Sequence, residues 1–397
     1  MTKPNLSADP VLHAQKLIQC KSITPIEGGA LTYLEDILSK AGFACHRLSF
    51  CDNETPDVEN LYARIGTQPP HLCFAGHTDV VPPGEERDWT FPPFAGQIEL
   101  ETLYGRGAVD MKGGIAAFLA ATLEILQNQE KSNQSFKGSL SFLITGDEEG
   151  PAINGTQKLL TWMKSHNEMI DHCLVGEPTN PEYLGDMIKI GRRGSLNGTL
   201  SIKGKQGHVA YPDKAQNPVD SLLAVLTAFK AKPLDQGNAH FTPSHLEITS
   251  VDVGNPVTNV IPAQAVAKFN IRYNTLHTLE SLKNHLRTIA SDILAPRNIN
   301  YNFRFHKPSE CFLTEPAAFS DLLVSSIQAV TGKTPELSTS GGTSDARFIK
   351  DYCPVIEFGL VNETIHQIDE RVPVQDLKAL KEIYKTFIEK YFSAHNP

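Results

Sequence analysis

Apolar and polar positions along the chain fall into two rhythms. Short apolar runs at His71–Ala75, Ser139–Thr145, Asp171–Val175 and Pro354–Gly359 have the length of strands buried on both faces. Between them, Pro10–Cys20, Leu31–Ala41, Gly113–Gln127 and Ala317–Thr331 carry apolar residues at helical spacing. Strands alternating with helices predict an α/β domain with a mostly parallel sheet flanked by helices.

From about Gly191 to Lys307 the rhythm changes. Ser195–Lys203 alternates as a half-exposed strand, and Asn217–Lys230 reads as a helix opened by Asn-Pro. His245–Val253 and Ala265–Tyr273 read as two successive strands, Leu279–Leu294 as an amphipathic helix, and Ile299–His306 as a last strand. The order βαββαβ predicts a ferredoxin-like unit inserted into the α/β domain. The expected division is residues 1–190 and 308–397 for the α/β domain and 191–307 for the insertion.

A length of 397 residues supports two domains, and 40% hydrophobic with 20% charged residues is ordinary for a globular chain. The formal net charge of −9 argues against a general nucleic-acid surface, but the local charge of a cleft still decides whether an anion binds. The seven cysteines are odd in number and form no C-x-x-C pair, which argues against a disulfide framework or thiolate zinc site. The N-terminal stretch has no apolar leader, and the longest apolar run, Gly113 to Leu126, is too short to span a bilayer. A cytoplasmic protein with no membrane partner is the expectation. A nucleotide-binding enzyme and a serine hydrolase find no support, because no phosphate-loop, G-x-G-x-x-G or G-x-S-x-G pattern occurs.

The chemistry lies just beyond the apolar runs. One leads into His77-Thr78-Asp79, the next into Asp147-Glu148-Glu149, and the third into Glu177; the fourth is followed after a short loop by His366. Asp110 lies just before the Gly113–Gln127 helix. Ligands of open α/β sheets bind beyond the carboxyl ends of the strands, so these residues predict one convergent site. Taken singly, an Asp-Glu-Glu run is ordinarily a solvated turn and a lone His a loop cap. The constellation carries the reading.

Two carboxylates 4 Å apart repel by about 4 kcal/mol at an effective dielectric of 20, and a divalent metal reverses that sign. Imidazoles with carboxylates suit Zn²⁺ or a similar ion, and one bridging carboxylate would hold two metals roughly 3.5–4 Å apart. Neighbours in extended backbone point to opposite sides, so of Glu148 and Glu149 one is expected as ligand and the other as free base.

At these residues the sequence resembles the metallopeptidase–aminoacylase family of carboxypeptidase G2 and acetylornithine deacetylase. The matching stretches are HTDVVPPG (His77–Gly84), YGRGAVDMKGG (Tyr104–Gly114), ITGDEEG (Ile144–Gly150), VGEPT (Val175–Thr179) and His366. The resemblance implies two Zn²⁺ per subunit, with Co²⁺ as a substitute. His77, Asp110 and Glu177 would hold one ion and Asp110, Glu149 and His366 the other, with Asp110 bridging. Asp79 would orient His77, Glu148 would be the general base, and the Asp110–Met111 peptide would be cis.

Four further stretches look most like the branch that removes succinyl groups from diaminopimelate in lysine and cell-wall precursor biosynthesis. They are GRRGS (Gly191–Ser195), GKQGHVAYP (Gly204–Pro212), TNVIPAQA (Thr258–Ala265) and SGGTSDARF (Ser340–Phe348). That branch implies a homodimer joined through the inserted domain, with His208 reaching the partner's site to bind the scissile carbonyl oxygen. Arg192, Arg193, Arg272, Asn259, Gly342 and Thr343 match positions near an anionic substrate. The alternatives are a related deacylase or metallocarboxypeptidase, and a non-catalytic zinc-containing dimer that binds amino acids or peptides. Retention of Glu148 and all the ligand positions argues against the last.

Overall fold

A computed structural model describes residues 6–132 and 137–395. The first five residues of the N-terminal stretch considered above lie outside the described residues. The chain divides into unit 1, Met1–Ile190 with Thr314–Ser338 and Ser344–Pro397, and unit 2, Gly191–Leu313 with Thr339–Thr343.

Unit 1 is built on an eight-stranded sheet. Its order is Ala44–Asp52, Thr55–Ile65, Ser139–Thr145, His71–His77, His172–Val175, Val355–Glu357, Met187–Lys189 and Glu336–Ser338. The four central strands are mutually parallel, and the Ala44–Ile65 hairpin adds antiparallel strands at one edge. Register aligns the strand ends: His77 pairs with Thr145, and Val175 lies between Ala75 and Glu357. The loops that leave these strands therefore start from one edge of the sheet.

His71–His77 and Ser139–Thr145 are buried at every position, which explains their unbroken apolar runs. Phe74 stacks on Phe118 at 4.2 Å between ring centroids, and Tyr384 meets both edge-on. Each such ring contributes about 1.5–3 kcal/mol by leaving water. Phe118 belongs to the Lys112–Lys131 helix, whose residues from Lys112 to Leu123 are all buried, and Tyr384 to the Val374–His395 helix. At Gly114 a Cβ would stand 2.6 Å from the Gly176 carbonyl oxygen, so only glycine lets this helix start so close to the strand loops.

Unit 2 has a four-stranded antiparallel sheet in the order His245–Asp252, Gln264–Tyr273, Gly194–Lys203 and Asn300–Ser309. The Pro218–Lys230 and Leu279–Leu294 helices complete the βαββαβ order. Leu282, Leu286, Ala290 and Leu294, four apart on one helix, share a core with Ala265, Ala267, Phe269, Ile271 and Tyr273, two apart on a strand. Gly198 faces Phe269 across the ladder, and a Cβ there would stand 2.2 Å from the ring. Unit 2 continues past the return expected after Lys307, because Phe312 and Leu313 pair with Arg192 and Gly191. Among the described residues no helix is long and apolar enough to cross a membrane.

The first residue of the central strand carries a pH dependence. The His71 Nδ1–H donates to the Met169 carbonyl at 2.6 Å, and the Ser141 hydroxyl donates to Nε2 at 2.8 Å, an arrangement that needs a neutral ring. Burial, helped by Arg64, lowers its pKa to about 4. The unfolded chain then binds the extra proton between about pH 6.5 and 4, so stability falls as pH drops through that window and levels off below it. Expected is a loss of roughly 2–3 kcal/mol from this group. Urea unfolding at pH 7 and pH 4.5 should show a shallower acid loss in His71→Gln than in wild type. Equal losses would remove His71 as the cause.

Candidate metal centre

His77 ends a fully buried strand, so its ring starts from a rigid base. Its Nδ1–H donates to the Asp79 carbonyl oxygen at 2.9 Å, which turns the Nε2 lone pair towards the acids. Asp79 thus meets His77 through its backbone, and its carboxylate stands 3.7 Å from Nδ1. It accepts instead from the Glu148 and Glu149 backbone N–H groups at 3.3 and 3.0 Å, so Asp79 holds the acidic loop.

Two carboxylate oxygens of one residue divide between two imidazoles. Asp110 Oδ1 lies 3.0 Å from His77 Nε2, and Oδ2 lies 3.1 Å from His366 Nε2. Glu177 Oε1 is 3.8 Å from His77 Nε2, and Glu149 Oε1 is 2.8 Å from His366 Nε2. His77, Asp110 and Glu177 thus form one group, and Asp110, Glu149 and His366 another, each with ligand atoms within 4.8 Å of one another. The Asp110–Met111 peptide is cis.

Residues 148–150 form a bend, so alternating strand directions do not separate Glu148 from Glu149. Both offer an oxygen within 4.8 Å of a His77 nitrogen. Their neighbours distinguish them. Glu149 meets His366, whereas Glu148 faces the charges of Glu177, Asp345 and Asp110.

Burial and those carboxylates push Glu148 well above the usual carboxylate range, opposed by His77. Burial pulls His77 down, but Asp110, Glu177 and Glu148 carry it well above its ordinary value. Bonds to Asp110 and Glu149 push His366 up to about 10, and burial raises Asp79 to about 6. Burial would raise Asp110, but bonds to His366 and His77 hold it below the usual range. Without a cation the acids draw protons onto the imidazoles. A bound divalent ion reverses that balance, because it takes the imidazole lone pairs and favours ionised carboxylates.

The donors fit such ions. Ligands at about 2.0–2.2 Å in tetrahedral geometry stand roughly 3.3 Å apart, within the 2.8–3.8 Å spread found here. The donors are nitrogen and oxygen without sulfur, a set suited to zinc and its neighbours.

Several supports were not expected as site residues, although Lys112 and Asp345 lie within the matching stretches YGRGAVDMKGG and SGGTSDARF. Glu370 is fully buried and accepts from Gly107, Val109 and Asp110 N–H and from Arg106. The Lys112 side chain is fully buried, its ammonium donates to the Cys20 carbonyl at 2.8 Å, and burial lowers its pKa to about 8. Asp345 accepts from Thr156 at 2.6 Å. The Asp-Glu-Arg run at 369–371 offers no signal by which Glu370 could be picked out.

Seven other expected residues belong to unit 2. His208 is exposed on a two-residue strand paired with Val260 and Ile261, and the Asn259 carbonyl accepts from Val209 N–H at 3.1 Å. Arg192 donates to the Gly342 carbonyl at 3.2 Å in the loop that also holds Thr343. Arg193 Nε is buried without a hydrogen-bond partner, and its charge, after burial, lowers the pKa of Arg272.

Asp110→Asn should bind fewer metal ions than wild type after zinc loading and desalting, measured by mass spectrometry. An unchanged metal content would exclude Asp110 as a shared ligand.

The model of Peptidase family M20/M25/M40 matches residues 73–390. Two relatives are named succinyl-diaminopimelate desuccinylase. One, from Rhodopseudomonas palustris (strain HaA2), is 56% identical and covers 96% of this chain and 98% of its own. The other, from Methylorubrum populi, is 57% identical and covers 97% and 99%. A solved Bacillus subtilis structure described as a dinuclear metal binding peptidase from the M20 family superposes with a TM-score of 0.70. It is 16% identical and covers 97% of this chain and 98% of its own, so it speaks for the fold. The chain belongs to peptidase family M20/M25/M40.

Proposed function

We propose that this chain hydrolyses N-succinyl-L,L-2,6-diaminopimelate to succinate and L,L-diaminopimelate, using two zinc ions in a homodimer. The observation that carries the hydrolytic reading is the Asp110 carboxylate divided between His77 and His366, each with its own glutamate. The acyl group and amine follow from the names of relatives that match nearly the whole chain.

His77, Asp110 and Glu177 would hold one ion and Asp110, Glu149 and His366 the other. Bound zinc supplies Lewis acidity, which brings the pKa of water towards about 7 and polarises a carbonyl. Glu148, next to both groups and bonded to neither imidazole, takes a proton from the attacking water. It then delivers that proton to the leaving nitrogen as the carbon–nitrogen bond breaks. Water is thereby divided between the succinate carboxyl and the amine.

His208 is assigned to the scissile carbonyl oxygen from a second copy of the chain. Its exposure and that of nearby Val209 and Tyr211 support a surface made for a partner. Arg193 and Arg272, the first close enough to help lower the pKa of the second, suit the carboxylates of the substrate, because a guanidinium pairs with a carboxylate through two parallel bonds. Arg192, Asn259, Gly342 and Thr343 are assigned to the same subsite.

Zinc-loaded protein should hydrolyse N-succinyl-L,L-diaminopimelate much faster than N-acetylornithine. The reverse ranking would overturn the substrate. Glu148→Gln should keep its zinc and lose turnover by at least about 100-fold; near-wild-type turnover would remove Glu148 as the base.

Mixing Glu148→Gln with His208→Ala protein tests action between copies. A mixed dimer would pair one intact Glu148 with one intact His208, so activity should reappear. A mixture as inactive as its parts, with subunit exchange shown by mass spectrometry, would place His208 in its own subunit's chemistry.

A further inference from the structure

Beyond the ligands, unit 1 contains a buried ion pair that ties together the two loops bearing Asp110 and His366. Arg106 and Glu370 are 2% and 0% exposed, and Arg106 Nη1 donates to Glu370 Oε2 at 2.8 Å. The carboxylate is wrapped by the loop that leads to Asp110. Oε2 also accepts from Gly107 N–H at 3.0 Å, and Oε1 accepts from Val109 and Asp110 N–H at 2.9 and 3.1 Å. One side chain thereby fixes the backbone of the shared ligand.

Arg106 works on the other loop. Its Nη1 donates to the Gln367 carbonyl at 3.2 Å, and its Nη2 to the His366 carbonyl at 3.3 Å. The guanidinium also lies over the Trp89 ring, 5.3 Å from the centroid. His366 needs such support. It has a left-handed backbone at φ 59° and sits on a loop with an exposed side chain, whereas His77 ends a buried strand.

We infer that Arg106 and Glu370 are positioning residues for the dinuclear centre, Glu370 acting through Asp110 on both ions and Arg106 through His366 on one. This rests on the reading that the site holds two metal ions. Glutamine at 370 keeps the size of the side chain but points an amide NH₂ at backbone donors, so the Asp110 loop loses part of its anchor. Lysine at 106 keeps the charge opposite Glu370 but has no fork to reach the His366 and Gln367 carbonyls together.

The test is Co²⁺ titration of metal-free full-length protein, followed by visible absorption and by competition with a chelator. Wild type should take two ions. Glu370→Gln should weaken both, each by about 10–100-fold. Arg106→Lys should weaken one by a similar factor, leave the other unchanged, and alter the absorption of only one equivalent. Leu34→Ala, a core truncation in the helix beside the Ala44–Ile65 hairpin, controls for lost stability and should retain both affinities.

A wild type that takes fewer than two ions would overturn the dinuclear reading. Two ions in wild type with unchanged affinities in both variants would overturn the positioning role alone. So would equal weakening by Leu34→Ala, or loss of the wild-type circular dichroism in both site variants, since each leaves the pair a purely structural part.

Discussion

Everything in unit 1 that bears on chemistry depends on one carboxylate serving two imidazoles. Asp110 has its oxygens at 3.0 and 3.1 Å from His77 and His366, and Glu149 and Glu177 approach the same rings. Three acids so placed repel one another, and protons on the rings offset only part of that charge. Divalent ions would take the imidazole lone pairs in place of those protons and offset more of the charge, so the donor set and spacing suit metals better than a solvated acidic patch.

The sheet makes this arrangement possible by bringing remote segments to one edge. Parallel strands in aligned register deliver His77, the 147–150 loop and Glu177 from positions far apart in the chain. Asp110 arrives on a loop that Glu370 holds through three N–H groups, and His366 on a loop that Arg106 holds through carbonyls. The rigid and the loop-borne ligands therefore need different supports. Strand burial serves the first, and a buried ion pair with backbone hydrogen bonds serves the second.

Some parts of the fold were legible for plain reasons. The four apolar runs stood out because strands covered on both faces contain few polar positions, as His71–His77 shows. Unit 2 was legible because Leu282, Leu286, Ala290 and Leu294 recur at helix spacing beside strands that alternate. The Ala44–Ile65 hairpin was not, because an edge hairpin with Arg47, Glu59 and other half-exposed residues lacks clear alternation. The Val374–His395 helix also escaped notice, since lysines and glutamates interrupt its apolar stripe.

By itself the sequence picked out which side chains could hold a metal, and that each follows a buried strand or opens a helix. Strand burial imposes a composition that can be read locally, so those positions could be named without coordinates. Tertiary structure alone decided that the Asp79 carbonyl, and not its carboxylate, turns His77, and that Asp79 grips the 148–149 backbone. It also decided that Glu370 is a buried acceptor for the Asp110 loop. Such contacts run through backbone atoms, which every residue possesses, and all but the His77–Asp79 bond join residues remote in sequence, so no residue type or spacing announces them.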